Sequence, residues 1–150
     1  MTEDEKWMDM ALREAQKAAE DGEVPAGCVI VDGEGRILGR AHNQTEGLND
    51  ATAHAEMLAM SAAFSAKGDW RLAGTRLYVT KEPCPMCAGA IILARVAKVI
   101  WGVSDPKRGG GTVFKIFEHP GINHHPEVVA GVLEAESKAI LQEFFRRRRS

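Results

Sequence analysis

The sequence His-Ala-Glu at residues 54–56, followed by Pro-Cys-Pro-Met-Cys at residues 83–87, decides which fold and which chemistry this chain of 150 residues is expected to have. His54, Cys84 and Cys87 offer the nitrogen and sulfur ligands that zinc prefers in proteins. Three protein ligands leave one tetrahedral position for water, which distinguishes a catalytic zinc from a structural zinc. We therefore expect one Zn²⁺ per chain, with iron as the alternative metal.

Glu56 makes hydrolysis the expected chemistry. It follows His54 by two positions, which is roughly 200° around a helix, so the two side chains point in different directions. A carboxylate beside a metal site can take a proton from water and deliver it to a substrate nitrogen. A redox-active Cys-x-x-Cys is disfavoured because it needs no upstream His-x-Glu. A structural zinc module without activity stays open as an alternative.

A fourth protein ligand would close the metal site, and the remaining candidates are the other cysteine and the other histidines. Cys28 lies in an apolar run and is expected to be a small buried core residue. His42 is expected to lie in a loop and to be solvated. Three histidines fall within residues 119–125, where His-Pro-Gly is typical of a turn.

The composition is that of one globular domain over residues 1–150. The chain is 45% hydrophobic with a net charge of −2, and its length suffices for one sizeable core. No run approaches the roughly 20 apolar residues of a membrane span, and the first residues are acidic, unlike a secretory signal. Three cysteines, two of them in a Cys-x-x-Cys, favour metal ligation in a reducing compartment over disulfides. We therefore expect a cytoplasmic protein with no membrane segment.

Charge is unevenly distributed along the chain. Residues 1–23 carry eight acidic residues against three basic ones, whereas four consecutive arginines at 146–149 make the C-terminal segment 144–150 basic. Arginines next to the two phenylalanines at 144–145 can hold phosphates and stack on bases. A solvated helix end, where cations complement the helix dipole, is the alternative.

Hydrophobic periodicity predicts an alternation of strands and helices. Thr2 and Glu5 fit a capping box that opens a helix ending at Gly22. The remaining predicted elements are a β-hairpin over 26–41, a helix over 54–67, a strand over 75–80, a helix from 83 or 85 to 94, a strand over 98–103, a short helix over 112–117, an edge strand over 127–130 and a helix over 133–147. This order indicates the α/β class with a mixed sheet covered on both faces, but it does not determine the strand order.

The chain resembles the bacterial tRNA-specific adenosine deaminases, a branch of the cytidine deaminase superfamily. The zinc motif is common to the superfamily, whereas the segments at 105–107, 119–124 and 144–146 are narrower. The matching segments extend over nearly the whole chain, at residues 23–27, 43, 50–56, 77–80, 82–90, 104–107, 119–124 and 144–146. The resemblance implies a three-layer αβα sandwich with a mixed central sheet of about five strands, usually assembled as a homodimer.

The function that the resemblance implies is zinc-dependent conversion of adenosine to inosine at the wobble position of a tRNA anticodon. His54, Cys84 and Cys87 match the zinc ligands of the family, and Glu56 matches its proton carrier. The target adenosine is expected to leave its stack. Glu56 is then expected to move protons from the attacking water to the base and to the leaving ammonia.

The resemblance also implies a set of substrate contacts. Asn43 would hydrogen-bond to the purine, while Val24 and Ala53 would line the pocket. Asp105 would belong to a loop that contacts the RNA sugar near the target base. The basic residues expected to contact phosphates of the anticodon stem-loop are Lys107, Arg146, Arg147, Arg148 and Arg149.

The chain departs from the family pattern close to the expected path of the RNA. Lys81 occupies a position where an apolar residue is usual before Glu-Pro-Cys. Gly-Gly-Gly-Thr-Val at 109–113 replaces a more usual small-residue run, and His-Pro at 125–126 replaces a basic residue. These changes leave the metal motif intact but concern the substrate. Deamination of a free nucleobase or nucleoside, such as guanine, cytosine or cytidine, therefore stays open, as does a silent zinc or RNA-binding module.

Overall fold

The computed structural model describes residues 1–149, and its elements begin close to where the sequence predicts. In chain order they are α1 (Glu3–Glu20), β1 (Gly27–Val31), β2 (Ile37–His42), α2 (Ala55–Lys67), β3 (Arg76–Lys81), α3 (Pro85–Leu93), β4 (Lys98–Val103), a 3-10 turn (Ile116–Glu118), β5 (Glu127–Ala130) and α4 (Glu134–Arg149). No helix among these residues combines the length and the apolar character that a membrane crossing requires.

The five strands form one mixed sheet in the order β2-β1-β3-β4-β5. β1 is antiparallel to both β2 and β3, whereas β3, β4 and β5 run parallel to one another. An opening hairpin followed by parallel strands gives this mixture, because parallel neighbours need a crossover connection. The predicted α/β class with a mixed sheet of five strands is confirmed.

Alternate side chains of β1 face two separate cores on opposite sides of the sheet. Cys28 and Ile30 belong to the core that α2 and α3 cover. Val29 and Val31 belong to the core that α1 covers, and α4 packs on the same side against β4. Helices therefore cover both faces, and the three-layer αβα sandwich is confirmed.

Two glycines allow the helices to lie directly on the sheet. A Cβ atom on Gly39 of β2 would collide with the carbonyl oxygen of Ala59 in α2. A Cβ atom on Gly27 of β1 would collide with the backbone of Ala11 in α1 on the opposite face. Glycine is therefore required at both positions for the close approach of another backbone.

Side-chain caps and backbone angles set the ends of the outer helices. The amide of Glu5 donates to Thr2 Oγ1 at 3.1 Å, and the amide of Thr2 donates to Glu5 Oε1 at 2.8 Å. The predicted capping box of α1 is therefore confirmed. Leu133, predicted to open the last helix, has a φ of 53° and lies outside α4, which begins at Glu134.

The predicted helix over residues 112–117 is wrong. The chain makes turns there and forms only a 3-10 turn at Ile116–Glu118. Lys115 has a φ of 52°, a left-handed conformation that interrupts a right-handed helix. Phe117 is buried and stacks on Trp101 of β4, with ring centroids 6.3 Å apart, so tertiary packing holds this segment to the sheet.

One edge of the sheet collects the segments that carry the predicted site. β3 and β4 are parallel, so the loops that begin at Glu82 and Ser104 leave from the same edge. β1 is antiparallel to β3, and the chain before Gly27 therefore enters there as well. The amide of Asn43, directly after β2, donates to Ala26 at 3.0 Å. Ligands of open α/β sheets bind outside such an edge.

Candidate active site

A cavity of about 240 Å³ opens at this edge of the sheet. Among the predicted site residues, it is lined by Val24, Asn43, His54, Glu56 and Cys84. The structure therefore brings together residues that lie up to 60 positions apart in the sequence. Its wall also contains Ala26, Thr45, Ala55, Lys81 and Glu82, none of which the sequence assigned to the site.

The three predicted metal ligands converge on one point. His54 Nδ1 lies 3.6 Å from Cys84 Sγ and 3.5 Å from Cys87 Sγ, and all three ligand atoms lie within 4.8 Å of one another. Ligand bonds of zinc at a tetrahedral angle place sulfur and nitrogen about 3.6 Å apart. The spacing and the His/Cys/Cys donor set both fit zinc.

Two of these ligands occupy the N-cap positions of helices. His54 is the N-cap of α2 and Cys84 is the N-cap of α3, and neither side chain makes a capping hydrogen bond. Both are therefore available to a metal ion. Pro85 begins α3, as the sequence allowed, because a first-turn proline loses no helical hydrogen bond.

The thiol of Cys84 is prepared for metal binding. A hydrogen bond from Cys87 and contacts with His54 lower the pKa of Cys84 to about 4, against the effect of burial. The helix N-terminus acts in the same direction, since its positive end favours an anion. Zinc binds thiolate sulfur, and these contacts favour the thiolate form of Cys84. The same hydrogen bond and burial raise the pKa of the Cys87 thiol.

Glu56 lies in the first turn of α2 and is 5% exposed. Burial raises the pKa of this carboxyl to about 7, with a backbone hydrogen bond and the neighbouring His54 opposing the shift. The positive charge of a bound metal ion lowers the pKa again. A carboxyl group that can gain or lose a proton near neutral pH is suited to proton transfer.

Within residues 1–149, no fourth histidine, cysteine, aspartate or glutamate joins the three ligands. Cys28 is fully buried in the core, as predicted. His42 was expected to lie in a solvated loop, but it ends β2 and its Nδ1 lies 3.2 Å from Glu14 Oε1. His124 and His125 interact through Nε2 with backbone carbonyl oxygens. This arrangement leaves one position for water or substrate and disfavours a closed structural site.

Of the three residues predicted to contact the base, two line the cavity and one does not. Asn43 is buried and lines the cavity, and Val24 lines it from the segment before β1. Ala53 is buried but lies outside the cavity lining, with its carbonyl oxygen accepting from the amide of Gln44 at 3.0 Å. In the structure Ala53 thus supports the loop behind the wall.

Glu82 is a functional residue that the sequence did not reveal. Its buried carboxylate accepts hydrogen bonds from the amides of Asp105, Gly111 and Thr112 at 2.8, 3.0 and 2.6 Å. It also accepts from the Thr112 hydroxyl at 2.7 Å. One carboxylate therefore fixes the loop that follows β4 against the cavity. The partners lie 23 to 30 residues away, so no local pattern marks this role.

Glu23 has the same role on the other side of the cavity. Its buried carboxylate accepts from the amides of Glu46 and Gly47 at 3.0 and 2.7 Å. These contacts hold the loop after Asn43 beside Val24. The only signal in the sequence was its place in a segment shared with the family.

Asp105 and Lys81 form an ion pair beside the cavity. Asp105 Oδ2 lies 3.5 Å from Lys81 Nζ, and Asp105 Oδ1 accepts from the amides of Lys107 and Arg108 at 2.9 and 3.0 Å. Burial alone would raise the pKa of Asp105, but these amides and the Lys81 ammonium outweigh it and lower the pKa. Asp105 is thus an anion held by the same loop that carries the exposed Lys107.

The arginines of the C-terminal helix do not line the cavity. Arg146 and Arg147 both pair with Glu143, at 2.7 and 2.9 Å. Arg148 lies 5.0 Å from the ring centroid of Phe144 and donates to the carbonyl oxygen of Gly22 at 3.0 Å. Gly22 is two residues before Val24, so the end of α4 contacts the segment that leads to the cavity wall.

Comparison with known proteins places this architecture in a family. The family model described as the cytidine and deoxycytidylate deaminase zinc-binding region matches residues 1–103. The chain is 52% identical over 147 residues to a tRNA-specific adenosine deaminase of Bacillus subtilis, covering 97% of this chain and 91% of the relative. It is 46% identical over 152 residues to a protein of the same name from Agrobacterium fabrum, covering 99% and 98%.

A solved structure gives the same result for the fold. It comes from studies of A-to-I editing by tRNA:A34 deaminases at the wobble position of transfer RNA, and it aligns with a TM-score of 0.87 at 45% identity. The alignment covers 91% of this chain and 99% of that one. The chain therefore belongs to the cytidine and deoxycytidylate deaminase family, and within it to the tRNA-specific adenosine deaminases.

Proposed function

We propose that this protein is a zinc-dependent hydrolytic deaminase that converts adenosine to inosine at the wobble position of a tRNA anticodon. The observation that carries the proposal is a buried Glu56 beside the converging ligands His54, Cys84 and Cys87, at the wall of a cavity large enough for a base. The names of the relatives at 46% and 52% identity support the substrate.

The three metal ligands and Glu56 have different roles in the reaction. His54, Cys84 and Cys87 would hold one zinc ion, which when bound lowers the pKa of a water molecule at the open position. A carboxylate oxygen of Glu56 accepts a proton from the attacking water and delivers it to a ring nitrogen of the base. Glu56 then takes the proton of the new hydroxyl group at C6 and delivers it to the amino group, which leaves as ammonia while the C6 carbonyl forms. One water is consumed and one ammonia is released for each inosine.

The cavity wall supplies recognition of the base. The side-chain amide of Asn43 offers one acceptor and one donor group to the polar edge of a purine. Val24 and Ala26 provide apolar surface for its faces. A cavity of about 240 Å³ cannot take in a stacked helix, so the target base has to turn out of its stack before it enters.

The rim of the cavity would carry the RNA. Lys107 is exposed on the loop that Glu82 fixes, and Arg146, Arg147, Arg148 and Arg149 end a helix that contacts Gly22. Cations on two sides of one opening suit a phosphate backbone that passes across it. Asp105 lies on the same loop as Lys107 and pairs with Lys81 of the cavity wall, and a sugar hydroxyl could donate to its carboxylate there.

We also propose a homodimer in the reducing environment of the cytoplasm. Leu93 at the end of α3 is 70% exposed, and Trp70 at the same end of the molecule is 58% exposed, with Arg95 lying over its ring. Large apolar side chains that are exposed together support a protein contact. Three free cysteines support a reducing compartment, because disulfide-forming conditions would compete with metal binding.

The proposal is tested with zinc-loaded protein and three kinds of substrate. An anticodon stem-loop RNA with adenosine at the wobble position is compared with free adenosine and cytidine, and with free guanine and cytosine. We expect inosine in the RNA and little turnover of the free compounds. Faster turnover of a free base or nucleoside would select the alternative deaminase, whereas no turnover of any substrate would leave a silent zinc module. Light scattering of the same sample measures the oligomeric state.

A further inference from the structure

Lys81 is the cation at the mouth of the cavity. It is the last residue of β3, it lines the cavity together with His54 and Glu56, and its side chain remains 38% exposed. A lysine at such a position would ordinarily sample many rotamers. Here the carboxylate of Asp105, 3.5 Å from Nζ, holds the ammonium group beside the opening.

The charges around Lys81 leave its ammonium group available to an anion. The nearby carboxylate of Glu82 accepts four hydrogen bonds from the loop and is buried, and Glu56 is buried in the wall. Asp105 is the remaining acidic group, and its Oδ1 already accepts two backbone amides. An ammonium group has three N–H donors, so one contact with Asp105 leaves others for a ligand.

Two further cations lie on the loop that pairs with Lys81 through Asp105. The side chains of Lys107 and Arg108 are exposed on the loop that binds Asp105, and within residues 1–149 neither makes an ion pair. Lys81 and the loop paired with it therefore carry three cations against the carboxylate of Asp105. This excess of positive charge would attract phosphate, and a nucleotide that inserts its base into the cavity leaves its phosphates outside.

We propose that Lys81 binds a backbone phosphate flanking the nucleotide whose base enters the cavity, and thereby makes the site select a polynucleotide over a free nucleoside. The inference rests on the proposed function, since it requires an RNA substrate. It concerns a position where the resemblance leads us to expect an apolar residue. Lys81 is a specificity residue in this role, and it takes no part in proton transfer.

The test compares Lys81→Met, Lys81→Arg and a matched control, Lys98→Met. Lys98 is also an ion-paired lysine of the central sheet, but it begins β4 at the edge opposite to the cavity. Binding of a fluorescent anticodon stem-loop to the zinc-loaded proteins is measured over a series of KCl concentrations, and inosine formation is measured at saturating and limiting RNA.

For Lys81→Met we expect about three- to tenfold weaker binding at low salt, with kcat within twofold of the wild type. The slope of log Kd against log salt should fall by about 0.7 to 0.9, the loss of one phosphate contact. Lys81→Arg should keep the wild-type slope, and so should Lys98→Met. A stem-loop with an uncharged methylphosphonate at the linkage flanking the target adenosine should remove the difference between wild type and Lys81→Met.

An unchanged slope and affinity in Lys81→Met would overturn the inference while leaving the deaminase function standing. A loss of kcat with unchanged affinity would do the same, because it would place Lys81 in the chemistry. Wild-type protein that neither binds nor edits the stem-loop would instead refute the proposed function, and the inference with it. A difference that persists with the methylphosphonate RNA would show that Lys81 does not contact that phosphate.

Discussion

The floor and the mouth of the cavity are built in different ways. The floor consists of His54, Glu56, Cys84 and Cys87, held at the starts of two helices and largely buried. The mouth consists of Lys81, Asp105, Lys107 and the arginine end of α4, which are partly or fully exposed. Buried charges interact strongly and are little affected by salt, whereas exposed charges are screened. On the proposed function, the reaction would depend on the floor and the choice of substrate on the mouth.

The largest expected effect is at the floor. Replacing Glu56 by Gln keeps the shape of the side chain but removes its ability to carry protons, so kcat should fall by at least about 10²- to 10⁴-fold. Zinc content, measured by plasma mass spectrometry, should stay at one ion per chain, and affinity for the stem-loop should stay within a few-fold. Inosine formation near the wild-type rate in this variant would remove Glu56 from the mechanism.

Glu82 lines the cavity and binds the loop at its mouth. Its replacement should have the next largest effect. Glu82→Gln replaces a buried acceptor of four hydrogen bonds by an amide that cannot accept them all, which should lower the free energy of unfolding by roughly 2 to 3 kcal/mol. Glu23→Gln, with two such bonds, is the matched variant and should cost about half as much. Urea unfolding at fixed zinc concentration measures both. Equal losses of unfolding free energy in the two variants would mean that the number of hydrogen bonds from loop amides does not determine the destabilisation.

The arginine end of α4 should change binding without changing the reaction. Replacing Arg146, Arg147, Arg148 and Arg149 together by serine should weaken stem-loop binding by about tenfold at physiological salt and lower the salt slope by about 2. The value of kcat at saturating RNA should stay within twofold. Glu143→Gln removes the carboxylate that Arg146 and Arg147 share, so it should strengthen RNA binding. The same sign of effect in both variants would exclude this end of the helix as a phosphate contact.

The smallest expected effect lies behind the wall, where Glu14 contacts Arg40 and His42 next to Asn43. Burial alone raises the pKa of Glu14, but hydrogen bonds from Lys17, His42 and Arg40 together outweigh it and leave the pKa below its ordinary value of 4.5. Its contribution to stability is therefore present above pH 4.5 and is lost as the pH falls through the lower folded-state value.

The variant Glu14→Gln measures this contribution. Its free energy of unfolding should be lower than that of the wild type by about 1 kcal/mol or less at neutral pH, since the contacts are partly solvated. The difference between the two proteins should shrink as the pH is lowered below 4.5. Urea unfolding at several pH values measures this difference in the free energy of unfolding. If the difference in unfolding free energy instead grew on acidification, the pKa of Glu14 would be raised in the folded protein and not lowered.

The sequence predicted the floor of the cavity better than its walls. His54, Glu56, Cys84 and Cys87 were found because their chemistry is encoded in short spacings at helix starts. Glu82 was missed because its partners are backbone amides of a distant loop, which residue types do not reveal. The same distant contacts, with the left-handed Lys115, explain why residues 112–117 do not form the predicted helix.

Lys81 is a residue that the sequence marked as unusual but whose surroundings it could not predict. Its identity marked it as unusual, but only the strand register and the loop after β4 bring it to Asp105 and to the cavity. The same holds for the strand order, which depends on long-range pairing. Apart from residues 112–117, the types of the elements and their boundaries to within a few residues followed from local periodicity, because each helix or strand buries one face of its own repeat.

The N-cap positions of His54 and Cys84 have a consequence for folding as well as for catalysis. A typical N-cap side chain accepts a hydrogen bond from a free backbone amide of the first helical turn. The side chains of His54 and Cys84 make no such hydrogen bond. A metal ion that joins them would fasten the beginnings of α2 and α3 to each other. Loading the site would then stiffen two separate stretches of chain in a single step, so that the protein becomes most rigid where it also becomes active.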